Sequence, residues 1–122
     1  MKNGRYEESD AVKWYSNDQL HREDGPAFIS PNGTNMWYSH GAKHRLDGPA
    51  IEYADGFKAW YVDGNLHRED GPAVEWPNGN QEWWINDESL TKSEFNHWLM
   101  KKELNEKLHT LPPKKKDRKK KI

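Results

Sequence analysis

Three stretches of the chain carry the residue types of a reactive site. They are His21-Arg22-Glu23-Asp24-Gly25-Pro26-Ala27, His44-Arg45-Leu46-Asp47-Gly48-Pro49-Ala50 and His67-Arg68-Glu69-Asp70-Gly71-Pro72-Ala73. A His beside an Arg and a carboxylate could act as a general base, an anion clamp or part of a metal ligand set. The triplication argues against each of these. Equivalent residues of evenly stacked β-hairpins lie two strands, about 9.5 Å, apart. A metal–nitrogen bond is about 2 Å long, so His21, His44 and His67 cannot share one ion. A catalytic centre needs one nucleophile and one base, with no reason to recur at equal intervals. Local geometry accounts for the same residues. The Gly relieves a turn, and the Pro fixes φ as the next strand begins. Each Arg, two residues before an Asp, can pair with it or with loop carbonyls. The pattern therefore predicts scaffold, with one anion per Arg-lined loop as the functional alternative. No catalytic residue, metal ligand or cofactor is assigned. His40, His97 and His109, outside the repeated slot, have no evident partner base or nucleophile beside them.

The elements that must carry these loops follow from the repeat. Trp14, Trp37, Trp60 and Trp83 are each 23 residues apart, and nine of the 23 positions are identical in the three full units. A fixed period of this length marks a repeat architecture. Within each unit, Asn32-Gly33, Asp55-Gly56 or Asn78-Gly79 separates two strand-like runs, which predicts a β-hairpin. A two-residue turn would set Phe28 opposite Trp37, Ile51 opposite Trp60 and Val74 opposite Trp83, on a face assigned to the core. Ala27 and Tyr38, Ala50 and Tyr61, and Ala73 and Trp84 would then share the other, half-exposed face. Ile29 and Met36 fall on that outer face as well. With Tyr15, Tyr38 and Tyr61 they form a candidate partner-binding row, because Tyr and Met suit recognition surfaces.

The period, the Trp-Tyr start, the Asp-Gly-Pro-Ala stretch and the Asn-Gly hairpins resemble variants of the MORN repeat. The form seen here is similar to repeat proteins of bacteriophages, large DNA viruses and some bacteria, and the resemblance covers about residues 11–90. It implies an open meander of β-hairpins that binds and does not catalyse, and some bacterial relatives are antitoxin-like. Asp-Gly-Pro-Ala stands where most such repeats have a Gly-rich strand start, which argues against borrowing a lipid-binding role.

Two regions are not repeated. Thr91 and Glu94 have the spacing of a capping box for a helix over about residues 92–109, ended by Pro112-Pro113. At 100° per residue, Phe95, Trp98 and Leu99 form one apolar stripe, suited to capping the last hairpin. Met100, Leu104, Leu108 and Leu111 form a second on nearly the opposite side. It is expected to fold back on the sheet, pair two copies as a homodimer or bind a partner helix. Beyond it, residues 112–122 hold six Lys and one Arg against one Asp, a net of +6. Residues 1–111 therefore carry −7 of the chain's total of −1. Lys114, Lys115, Lys116, Arg118, Lys119, Lys120 and Lys121 read as a disordered basic tail. They could hold nucleic acid without sequence preference, or an anionic surface.

Hydrophobic residues make up 33% of the 122-residue chain, so the core must be thin and aromatic-rich. There is no Cys, which removes disulfides and thiolate chemistry, and no apolar run reaches membrane-spanning length. A cytoplasmic protein is expected, in the host cytoplasm if viral, with nuclear import open to the basic tail in a eukaryotic host. The expected organisation is a flexible segment at 1–10, repeats at 11–90, a helix at 91–111 and the tail at 112–122. The fold class is an all-β meander of three to four hairpins with one C-terminal capping helix. The expected function is a non-enzymatic binding or inhibitory module, phage- or virus-encoded, that engages a host protein. The alternative is a protein held on nucleic acid by its tail.

Overall fold

The computed structural model describes residues 1–110. In chain order the strands are β1 (Gly4–Glu8), β2 (Ala11–Ser16), β3 (Gln19–Leu20), β4 (Phe28–Ile29), β5 (Asn35–Met36), β6 (Tyr38–Ser39), β7 (Ala42–Lys43), β8 (Ile51–Glu52), β9 (Lys58–Ala59), β10 (Tyr61–Val62), β11 (Asn65–Leu66), β12 (Val74–Glu75), β13 (Gln81–Ile85) and β14 (Glu88–Leu90). They are followed by one helix, α1 (Lys92–Thr110). The principal sheet is an antiparallel meander in the order β1-β2-β4-β5-β8-β9-β12-β13-β14, with β3 attached to β2. Two small two-stranded sheets, β6-β7 and β10-β11, accompany it. The architecture is the expected hairpin meander with a single terminal helix. The segment 1–10, expected to be flexible, instead supplies β1, which pairs with β2 from Gly4↔Tyr15 to Glu8↔Ala11.

Each unit contains two hairpins of different kinds, where one was expected. The first turns at Asn32-Gly33, Asp55-Gly56 or Asn78-Gly79, and its loop has three residues, not two. In the middle unit Tyr53 N–H donates to Phe57 O and Gly56 N–H to Tyr53 O, at 2.9 and 3.0 Å. Gly56 has φ +101°. This is a type I turn closed by a left-handed glycine bulge. The Asp55 carboxylate accepts from Phe57 N–H at 3.0 Å, and Asn32 and Asn78 do the same two residues on, which explains an Asn or Asp at this place. The second hairpin turns at His40-Gly41 and Asp63-Gly64, with both central residues at positive φ. That is the two-residue type I′ turn.

The bulge moves the register by one residue, and the expected faces change with it. Ile51 pairs with Ala59, not Trp60, and Phe28 with Met36, not Trp37. Val74 lies between Ala59 and Glu82. A slip of one residue turns every side chain of a strand to the opposite face. Phe28, Met36, Ile51, Ala59 and Val74 thus form one row, and Ile51, Ala59 and Val74 are its buried centre. Met36 and Tyr61, expected on the outer face, pack against that cluster. The Trp row, expected in the core, lies on the other side of the second strand and is half-buried. Ala27, Ala50 and Ala73, expected to be half-exposed, are fully buried.

At the C-terminal end the capping box forms as the sequence predicts. Thr91 N–H donates to Glu94 Oε1 at 2.8 Å, and Glu94 N–H to Thr91 Oγ1 at 3.0 Å. Phe95 is buried, Trp98 and Leu99 are half-buried, and the helix rests on β13 and β14. No helix of the described residues is long and apolar enough to cross a membrane.

Candidate functional site

The repeated loops are built as clips. The guanidiniums of Arg22, Arg45 and Arg68 lie 3.7, 3.7 and 3.8 Å from the ring centres of Trp14, Trp37 and Trp60. Nε of each donates to the Asp two residues on, at 2.8–3.1 Å. Nη1 of each donates to the Pro carbonyl four residues on, at 3.0–3.1 Å. Arg45 and Arg68 also approach Glu52 and Glu75, at 3.6 and 3.3 Å. The cation is thus placed over a π-face and neutralised by its own loop, and an anion would have to displace that carboxylate. In the fourth unit Lys92 takes the Arg's place, 5.9 Å over Trp83.

The loop glycines have a different reason from the one expected. Gly25, Gly48 and Gly71 are not at positive φ. A Cβ on each would stand 3.0, 2.8 and 3.0 Å from the Cζ of Arg22, Arg45 and Arg68. The glycine leaves room for the guanidinium to lie flat against the chain.

The histidines join one unit to the next. Nδ1 of His21, His44 and His67 accepts the backbone N–H of His40, Asp63 and Asn86, at 2.9, 2.9 and 3.0 Å. Each of those residues opens the tight turn of the following unit, where its N–H has no ladder partner. At the start of the array Asn3 Oδ1 plays the same part for Asn17 N–H, at 2.9 Å. An Nδ1 that accepts leaves the ring proton on Nε2. In His67 that nitrogen meets Glu69 at 2.9 Å. Glu69 also meets Lys102 of α1 at 3.4 Å. Burial pushes the Glu69 carboxyl up, but hydrogen bonds from His67 and Lys102 outweigh it and leave the group below its ordinary value. Among the described residues no group of three His, Asp or Glu side chains could hold a metal ion.

The candidate row of Tyr15, Tyr38, Tyr61, Ile29 and Met36 does not form one surface. Ile29 pairs with Val12 and Asn35, on the face opposite Met36. Tyr15 donates to Glu8 Oε1 at 2.8 Å and meets Tyr6 edge-on. Glu8 is held down to about 2 by hydrogen bonds from Lys2 and Tyr15. Tyr38 reaches Met36 Sδ at 3.8 Å. Burial raises the pKa of both Tyr38 and Tyr61. Apart from the Tyr15 corner, these rings belong to the core margin. Of the helix candidates, Met100, Leu104 and Leu108 are 65%, 58% and 61% exposed, so these three do not fold back on the sheet, and Leu111 lies outside the described residues. The basic candidates Lys114, Lys115, Lys116, Arg118, Lys119, Lys120 and Lys121 lie outside the described residues. His40 stacks on His21 at 4.2 Å, His97 is exposed on the helix, and His109 Nδ1 meets Asn105 O at 2.9 Å.

The structure brings together a surface that the pattern did not single out. Tyr53, Phe57 and Trp76 flank the bulged turns of the second and third units. Tyr53 and Phe57 ring centres are 5.0 Å apart, and those of Phe57 and Trp76 are 4.7 Å apart. Tyr53 and Trp76 are 41% and 44% exposed. They continue the row of Ile51, Ala59 and Val74 two residues further along each strand, and Phe57 still touches the core. The first unit has Ser30 and Thr34 at these places. Beside Tyr53 lies a cavity of about 370 Å³, lined by Asn32, Thr34, Ala54 and Asp55. Two larger open grooves separate the clips, and both are lined by Leu46, which is 80% exposed where the other loops carry Glu23 and Glu69. No family model, curated protein or solved structure matches the chain.

Proposed function

We propose that the chain is a non-enzymatic binding module that engages a protein partner, through the Tyr53–Phe57–Trp76 patch at the hairpin tips. The observation that carries this reading is a contiguous cluster of large rings, half-exposed, at positions the repeat leaves free to vary. Rigid aromatic anchors dominate protein–protein hot spots. The clips, by contrast, use their Arg, Asp and His groups internally. The resemblance to MORN-repeat variants favours a phage- or virus-encoded module, so a host protein is the proposed partner and inhibition, antitoxin-like or anti-defence, the proposed outcome.

The test is affinity capture from lysate with and without nuclease, using the full chain, a Tyr53→Ser/Trp76→Ser variant and a variant ending at residue 111. The expected result is a discrete protein held by the full chain and the shortened variant and lost with the patch. Capture that vanishes with nuclease or with the basic residues, and survives the patch substitutions, would replace this reading with nucleic-acid association.

A further inference from the structure

The outer face of α1 is apolar and exposed. The helix has 19 residues, and its two stripes have opposite surroundings. Phe95, Trp98, Leu99 and Lys102 lie toward the β-array, the last held by Glu69. Met100, Leu104 and Leu108 lie one turn apart on the side facing away and stay more than half exposed. From Glu103 to Thr110 every residue is exposed. A helical segment of that length is marginal in water without packing, so a covering partner would stabilise it.

The charges beside the stripe say which partner. At 100° per residue, Glu103 and Lys107 share one edge of the stripe, and Lys101 and Asn105 share the other. Two copies related by a two-fold axis near Leu104, with helices antiparallel, set Leu104 against Leu104 and Met100 against Leu108. An antiparallel two-fold brings matching edges together. Along that edge each Glu103 then lies beside Lys107 of the other copy, two attractive approaches against one between the two Glu103 side chains, and on the other edge Lys101 lies beside Asn105. The helix dipoles oppose each other, and the two β-arrays sit toward opposite ends of the helix pair.

We infer that two copies of this chain associate through an antiparallel pair of α1 helices, with Met100, Leu104 and Leu108 as the seam and Glu103–Lys107 pairs along one edge. Three apolar side chains per copy fall short of the roughly 1,200 Å² of a stable interface. The dimer is therefore weak and forms in the high-micromolar range.

The test is sedimentation equilibrium of the full chain from about 10 µM to 1 mM. The average mass is expected to rise toward twice the monomer mass. Leu104→Asp is expected to hold it at the monomer value with an unchanged thermal midpoint. Glu103→Lys alone, which sets Lys against Lys, should weaken association about tenfold. Glu103→Lys combined with Lys107→Glu should restore it. A monomer throughout the range, or association indifferent to Leu104→Asp, overturns the pairing. Association lost in Leu104→Asp but not restored by the charge exchange overturns the antiparallel register.

Discussion

The same hairpins end in two different ways. At one end the strands run into the Arg–Trp clips, where the Arg and Asp side chains and the His Nδ1 of each repeated motif are bonded within their own loop or to the next unit. At the other end the strands run into bulged turns, where Tyr53 and Trp76 lie half open to solvent. The clip end repeats with one change, Leu46 for the Glu of the other loops, because each unit solves the same internal problem. The tip end changes from Ser30 and Thr34 to Tyr53 and Phe57 to Trp76 and Asn80, and the side chains of Tyr53 and Trp76 there make no bond that the repeat requires. Residues that look reactive are thus the structural ones here, and residues outside the motif are free to make contacts.

Substitutions at the two ends should separate in stability. Arg45→Ala removes a guanidinium stacked on Trp37, worth about 0.5–2 kcal/mol, and the bond to the Pro49 carbonyl, worth about 1 kcal/mol. The expected loss in urea denaturation is about 2 kcal/mol. His44→Ala strands Asp63 N–H in the next turn, and should cost about 1 kcal/mol. Tyr53→Ala and Trp76→Ala, taken singly, should each cost less than about 1 kcal/mol, while removing partner capture. A Trp76→Ala variant as unstable as Arg45→Ala would break the comparison.

The smallest effect belongs to the contact between the third clip and the helix. Glu69 has its pKa lowered in the folded state. An unfolded chain holds its proton more tightly there, so folding is favoured once the group is ionised. That contribution is complete above about pH 4.5, the ordinary value, and fades as pH falls through the lower folded value. Glu69 is nearly half exposed, so its weight is well under about 1 kcal/mol. Glu69→Gln should flatten this part of the stability profile between pH 5 and 3, measured as thermal midpoints against the unaltered chain. An identical pH dependence in both proteins would contradict the contact.

The sequence made much of this arrangement legible and concealed one decisive detail. The 23-residue period and the hairpins follow from regular spacing, and Thr91-x-x-Glu94 announces its own cap. The register does not follow, because each unit holds two turn candidates. Asp55-Gly56 of the middle unit and Asp63-Gly64 of the next are the same dipeptide. The first makes a three-residue bulged loop and the second a two-residue turn. Assigning the short turn to the first pair shifts one strand by one residue and puts Tyr38, Tyr61 and Met36 on the wrong face. The signal that separates them is the presence of two such pairs in so short a unit, which demands two hairpins. Tyr53 and Trp76 stand outside the repeated motif, where an aromatic reads as an ordinary strand residue. The role of Gly48 could not be read at all, since a glycine required by a flat guanidinium looks like a glycine required by a turn.

The central claim is that the repeated motif is an internal clip, and a double-mutant cycle on Arg45 and Gly48 tests it most directly. In the unaltered protein Gly48→Ala sets a Cβ 2.8 Å from Arg45 Cζ, and should cost about 1–3 kcal/mol by overpacking. In an Arg45→Ala background the obstruction is gone. The same change should then be neutral, or stabilise by about 0.4–1 kcal/mol through the unfolded chain. Urea denaturation of the four proteins should therefore show strong coupling. Effects that add to within about 0.5 kcal/mol would mean that Arg45 does not lie against Gly48, and the clip would have to be given up.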